Sequence, residues 1–211
     1  MRKYSRYLIG KERSVHADKK LGWTLAFVAG SINAGGFLAI NQYTSHMTGM
    51  ISAIADDIVL GKWKIILKLL IAISSFLIGT IICTLLVNFS EKKQWHSKYA
   101  LPLFLEALLI LIFGIIGYKL SLMKGFLIPY TIIHLCFIMG MQNSLVTKIS
   151  KSVIRTTHMT GVVTDLGIEL GKLFYINIDK ENHHQVKADR EKLILLLILL
   201  LSFFSGAIIG A

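Results

Sequence analysis

"TSHMTGMIS", residues 44–52, follows about twenty mostly apolar residues, yet it carries four hydroxyls, a histidine and a glycine. A near copy, "TTHMTGVVT", occupies residues 156–164. A four-letter match can arise by chance, so the surroundings decide. Upstream, "GSINA" (30–34) aligns with "GMQNS" (140–144) as Gly-x-x-Asn-small. Downstream, "SFLIGTII" (75–82) aligns with "SFFSGAII" (202–209). Three matches in the same order point to an internal duplication. One half covers 21–88 and the other 124–211, and the loop and apolar run of 89–123 join them as an unmatched connector.

Composition sets the class. Hydrophobic residues make up 54% of the 211 residues, with a mean hydropathy of +0.63, and charged residues 17%, against about 25% in soluble domains. The apolar residues fall in blocks at 21–40, 64–89, 100–118, 124–147 and 193–211, each close to the roughly 20 residues that cross a bilayer as a helix. The expected fold is an all-α polytopic membrane protein of two repeats plus a connector helix, with about six (five to seven) transmembrane segments. The runs that follow the two HMTG phrases, 50–61 and 162–173, are short for a crossing and read equally as re-entrant segments.

The net charge of +11 would suggest nucleic acid in a soluble protein. Here the positive-inside rule accounts for it, and nucleic acid is not an expected partner. Residues 1–20 form a basic cytoplasmic lead with seven Lys and Arg, and 179–192 form a polar aqueous loop in the second half. If both HMTG segments cross, 17 of the 23 basic residues lie inside; if neither crosses, 18 do. Both topologies put the N-terminus in the cytoplasm. The first apolar run has no small-residue cleavage site after it and is expected to remain in the membrane. Cys83 and Cys136 lie in apolar blocks without CxxC spacing and suggest neither a disulfide nor a metal site.

Thr-Gly before a helix-forming run reads as a helix start. Thr48 and Thr160 are suited to cap, and Gly49 and Gly161 allow close approach. A helix that starts inside a membrane aims free N–H groups and a positive dipole end at whatever lies there. Two such starts could converge on a small anion. The candidate substrate-binding residues are Thr44, Ser45, His46, Thr48 and Gly49 with Asn33 in the first half. Their counterparts are Thr156, Thr157, His158, Thr160 and Gly161 with Asn143. The plainer reading makes Thr and Gly small packing residues, and the asparagines glue between helices or breaks within them. Asp57, Asp165 and Glu169 are candidates for coupling or a polar relay, because His158, Asp165 and Glu169 share a helix face at i, i+7 and i+11. Ordinary interfacial acids are the alternative. Glu106 and His134 are lone ionisable residues in apolar blocks.

"TTHMTGVVTDLG" (156–167), the Gly-x-x-Asn-small spans and the Met-Thr-Gly phrases together resemble the YoaK family across nearly the whole chain. That resemblance implies a small bacterial inner-membrane protein, usually drawn with six spans, and brings no substrate with it. Where the family's first motif reads Met-Thr-Gly-Asn, this chain has Met50, which removes a polar side chain.

No catalytic motif is present, whether Gly-x-Ser-x-Gly, HExxH or a phosphate-binding glycine loop, and no cofactor or metal is expected. The leading functional expectation is a small permease for a small, anionic solute bound between the two helix starts. The alternative is a non-transporting membrane protein that binds a lipid or a protein partner. The expected partners are the lipid bilayer and the solute, with a homo-oligomer left open.

Overall fold

A computed structural model of the chain describes residues 15–120, 124–150, 154, 156–175 and 186–211. The polar loop 179–192 and the basic lead 1–20 fall partly outside these. The described residues form seven helices and no strand: α1 (Val15–Ile40), α2 (Met47–Val59), α3 (Trp63–Lys92), α4 (Ala100–Leu120), α5 (Lys124–Ile149), α6 (Met159–Phe174) and α7 (Arg190–Gly210). Four stretches, His16–Ile40, Trp63–Lys92, Ile128–Ile149 and Arg190–Gly210, are long and apolar enough to cross a membrane, and α4 adds a further apolar helix. The outward faces carry exposed Leu, Ile and Phe, such as Leu67, Leu77, Leu111 and Phe204, as a lipid-facing surface requires.

Chain punctuation sets the short elements. Asn41, with a φ of 54°, ends α1 in the left-handed region, where Asn is among the tolerated residues. Gly61, with a φ of 69°, reverses the chain between α2 and α3, a conformation that costs glycine little. At the start of α7 the Asp189 carboxylate accepts the Lys192 N–H at 3.0 Å, a side-chain cap.

Four glycines fix how the long helices pack. A Cβ on Gly30 of α1 would collide with the Phe203 carbonyl oxygen of α7, and one on Gly206 of α7 with that of Phe27 in α1. A Cβ on Gly79 of α3 would collide with the Phe137 oxygen of α5, and one on Gly140 of α5 with that of Phe76 in α3. Backbone therefore meets backbone at both crossings, as small residues permit between membrane helices. Hydroxyls reinforce both contacts. Ser31 Oγ donates to the Gly206 oxygen at 2.9 Å, Thr80 Oγ1 to the Gly140 oxygen at 3.1 Å, and Ser75 Oγ to the Ile133 oxygen at 2.7 Å.

The order of these contacts gives helix directions. Lys19 pairs with Glu191 and Ser31 with Gly206, so α1 and α7 run parallel. Ser75 meets Ile133 and Thr84 meets Ser144, so α3 and α5 run parallel. Leu25 meets Gln142 and Gly36 abuts Leu135, so α1 and α5 are antiparallel. The helix carrying "GSINA" therefore runs opposite to the one carrying "GMQNS". The core follows the same pairing: Leu21, Leu25 and Ala26 pack with Met141, Leu145, Leu195 and Leu199.

Candidate functional site

Both HMTG phrases begin helices, and both do so in the same way. The N-cap is the histidine, with φ and ψ of −92° and 68° at His46 and −85° and 62° at His158. The expected caps, Thr48 and Thr160, are instead the second residues of α2 and α6, and both are exposed. Neither histidine makes a side-chain cap hydrogen bond. Each lays its imidazole over the glycine three residues on. A Cβ on Gly49 would collide with the His46 ring, and one on Gly161 with the His158 ring. The glycine thus leaves the space that the ring occupies, a demand a sequence pattern alone does not reveal.

The asparagines hold these starts in place. Ser45 Oγ donates to Asn33 Oδ1 at 2.9 Å, and Thr157 Oγ1 donates to Asn143 Oδ1. In each half the Asn of Gly-x-x-Asn therefore grips the residue just before the histidine. Neither Asn breaks its helix, since α1 and α5 continue through both. These two bonds bring Ser45 back alongside α1 and Thr157 back alongside α5, so α2 and α6 begin beside the asparagines rather than beyond the ends of those helices.

The two starts meet. One cavity of about 380 Å³ is walled by Ser45, His46, Met47 and Thr48 from the first phrase, and by Thr157, His158, Met159 and Thr160 from the second, with Asn143 and Phe76. A second, of about 560 Å³, shares Ser45, His46, Thr157 and Met159 and extends past Asn33 and Phe203. Phe37 and Tyr43, stacked at 4.4 Å, form its aromatic side. None of the described residues lining either cavity is acidic.

Direction completes the electrostatics. The short turn after α2 returns α3 alongside it, and Glu169 near the end of α6 touches Asp189 at the start of α7, so each short helix runs antiparallel to its long neighbour. Because α3 and α7 oppose each other, α2 and α6 do too, with their N-termini head to head at the cavity. The first intrahelical bonds are Met50 N–H to the His46 oxygen and Val162 N–H to the His158 oxygen. The amides before them have no intrahelical acceptor, and two positive dipole ends face one space.

The remaining predicted residues lie elsewhere. Thr44 and Thr156 are fully buried, their hydroxyls have no hydrogen-bond partner among the described residues, and neither lines either of these two cavities. Gly49 and Gly161 lie beneath the rings. Asp57 pairs with Lys62 at 3.8 Å, Asp165 with Lys192 at 3.9 Å, and Glu169 with Lys172 at 3.0 Å and Lys192 at 3.6 Å. Asp57 and Glu169 sit toward the far ends of α2 and α6, and Asp165 near the middle of α6. The Asp189 backbone N–H, which donates to Glu169 at 2.9 Å, and the Lys172 ammonium hold the Glu169 carboxyl below the usual carboxylate range. His134 of α5 bonds the Leu109 oxygen at 2.9 Å. Among the described residues, no three His, Cys, Asp or Glu side chains converge as a metal site.

Sequence reasoning missed the aromatic walls. It also missed that all four crossing helices carry the same Phe-x-x-Gly: Phe27, Phe76, Phe137 and Phe203 each precede their glycine by three residues. That signal was present in the sequence, but its reciprocity appears only in the packing.

These helices and their apolar faces define a multi-span membrane protein. The chain belongs to the family described as "Protein of unknown function (DUF1275)", whose model matches residues 21–211. It is 30% identical over 154 residues to the UPF0700 transmembrane protein YoaK of Bacillus subtilis (strain 168), covering 72% of this chain and 67% of that protein. No solved structure matches.

Proposed function

We propose that the protein is a permease for a small anion, which binds where the N-termini of α2 and α6 meet. The observation that carries this reading is the shared cavity: both helix starts, with their hydroxyls and imidazoles, line it, and no described acidic residue does. Helix N-termini favour anions through unpaired N–H groups and the dipole, and broken helices that meet inside a bundle are a transporter device.

On this reading the two halves are inverted repeats, and α1 followed by α2 makes one interrupted passage, as does α5 followed by α6. The opposite directions of α1 and α5 support this, as do the reciprocal glycine contacts. Among the described residues, the side that holds the starts of α1 and α7 then gathers ten Lys and Arg residues against five on the other, which favours a cytoplasmic N-terminus in a bacterial inner membrane.

The test is uptake into proteoliposomes, with a panel of small monovalent anions as probes. Wild-type protein should move at least one, and Gly161→Leu should abolish that movement while the protein still inserts and keeps its helical content. If no anion is bound or moved and a lipid or a protein instead co-purifies stoichiometrically, the alternative of a lipid- or partner-binding membrane protein replaces this reading.

A further inference from the structure

Glu106 lies on α4, whose pairing with α5 is antiparallel: the Tyr99 hydroxyl reaches the Lys148 oxygen, and the Leu109 oxygen meets His134. That register sets Glu106 against the middle of α5, far from either end of the bundle. It is 2% exposed, neither carboxyl oxygen has a partner at full hydrogen-bond geometry, and among the described residues it takes part in no ion pair. The Gln142 side chain of α5 lies beside it. Gln142 is fully buried, and its Nε2 donates to the Leu25 oxygen of α1 at 3.2 Å, while its Oε1 has no partner.

The Glu106 carboxyl and Gln142 Oε1 are buried acceptors without a partner on neighbouring helices, and one proton shared between the two side chains satisfies both. An ionised carboxylate only accepts, whereas a protonated one carries an O–H donor. A buried charge without a partner neutralises rather than persists. We propose that Glu106 is a proton-binding site in the middle of the membrane, and that Gln142 is its two-position reporter. With the proton bound, the Glu106 O–H donates to Gln142 Oε1, and Gln142 Nε2 donates to Leu25. When the O–H bond breaks and the proton passes to water, the amide Nε2 turns to the carboxylate and releases the Leu25 oxygen.

The surroundings contain little else that titrates. The Cys83 thiol faces Glu106 from α3, with Lys148 acting on that thiol from further along α5. His134 on α5 is held by the Leu109 oxygen. Residues 21–40 of α1 contain no ionisable side chain. Gln142 is followed directly by Asn143, which holds Thr157 at the cavity wall. The site therefore joins α4 to the two helices whose asparagines anchor the helix starts. On the permease reading this proton is the coupling ion, but the site itself does not depend on that reading and is tested without any solute.

The experiment is infrared spectroscopy of the full-length protein in lipid, titrated from acid to alkaline buffer in H2O and D2O. Wild-type protein should show a protonated-carboxyl C=O band that shifts in D2O, vanishes reversibly at alkaline pH and is lost in Glu106→Gln. Glu106→Gln should keep wild-type thermal stability, because its amide supplies the same donor to Gln142. Gln142→Leu, a second variant, should keep the band and shift it to higher frequency, as for a carboxyl without an acceptor. Spectra of Glu106→Gln and wild type that coincide at every pH would overturn the proton site. A band that persists unchanged until the protein unfolds would overturn the switch, leaving Glu106 a permanently neutral packing group.

Discussion

Gly30 of α1 rests directly on the Phe203 carbonyl of α7, and Gly206 of α7 rests on the Phe27 carbonyl of α1. Two backbones so close leave no room for a methyl group. Gly30→Ala should therefore destabilise the protein by about 1–3 kcal/mol, the range for overpacking. Thermal unfolding in detergent measures it. Gly167, which has nothing within 4 Å of its would-be Cβ, is the control, and Gly167→Ala should be neutral or stabilising by up to about 1 kcal/mol.

Gly161→Ala should behave differently, because its obstacle is a side chain. The methyl group would displace the His158 ring from the start of α6. Adding His158→Ala removes the obstacle, so the double variant should recover part of the loss, with a coupling energy on the order of 0.5–3 kcal/mol. A double-mutant cycle on unfolding free energies reads it, and simple additivity would contradict the ring-over-glycine packing.

Thr157→Val keeps the shape and removes the hydrogen bond to Asn143. The expected stability loss is about 1 kcal/mol. Ser45→Ala should do the same at Asn33 in the first half. On the permease reading, both variants should also weaken anion uptake more than they lower thermal stability, since the two hydroxyls line both cavities.

Glu169 gives a pH dependence with a definite sign. The Asp189 N–H and Lys172 lower its folded value below the unfolded one, which lies near about 4.3. Its contribution is therefore fully present above the ordinary carboxylate range and is lost as pH falls through the lowered folded value. Wild-type thermal stability should drop on acidification, and Glu169→Gln should flatten that part of the profile. Identical profiles would show that the contact contributes nothing.

Much of this architecture was legible in the residues. Apolar blocks of spanning length made a helical membrane protein the expected fold, because a bilayer offers no partner to an unsatisfied backbone. The repeated "HMTG" marked two helix starts, since glycine and small polar residues serve that chemistry wherever they stand. Family membership followed from the same phrases. What the one-dimensional pattern left open was direction. Charge counting balanced 17 against 18 basic residues for the two topologies, and only contacts such as Leu25 with Gln142 and Lys19 with Glu191 orient the helices. The cap likewise passed from Thr48 and Thr160 to His46 and His158, because an imidazole can fill the space over a glycine only once the helix has formed. The pairing of Glu106 with Gln142 joins two helices through residues 36 positions apart, and no local spacing encodes it. Periodicity and composition report what each segment must bury; which buried groups then meet is decided by the packing of segments far apart in the chain.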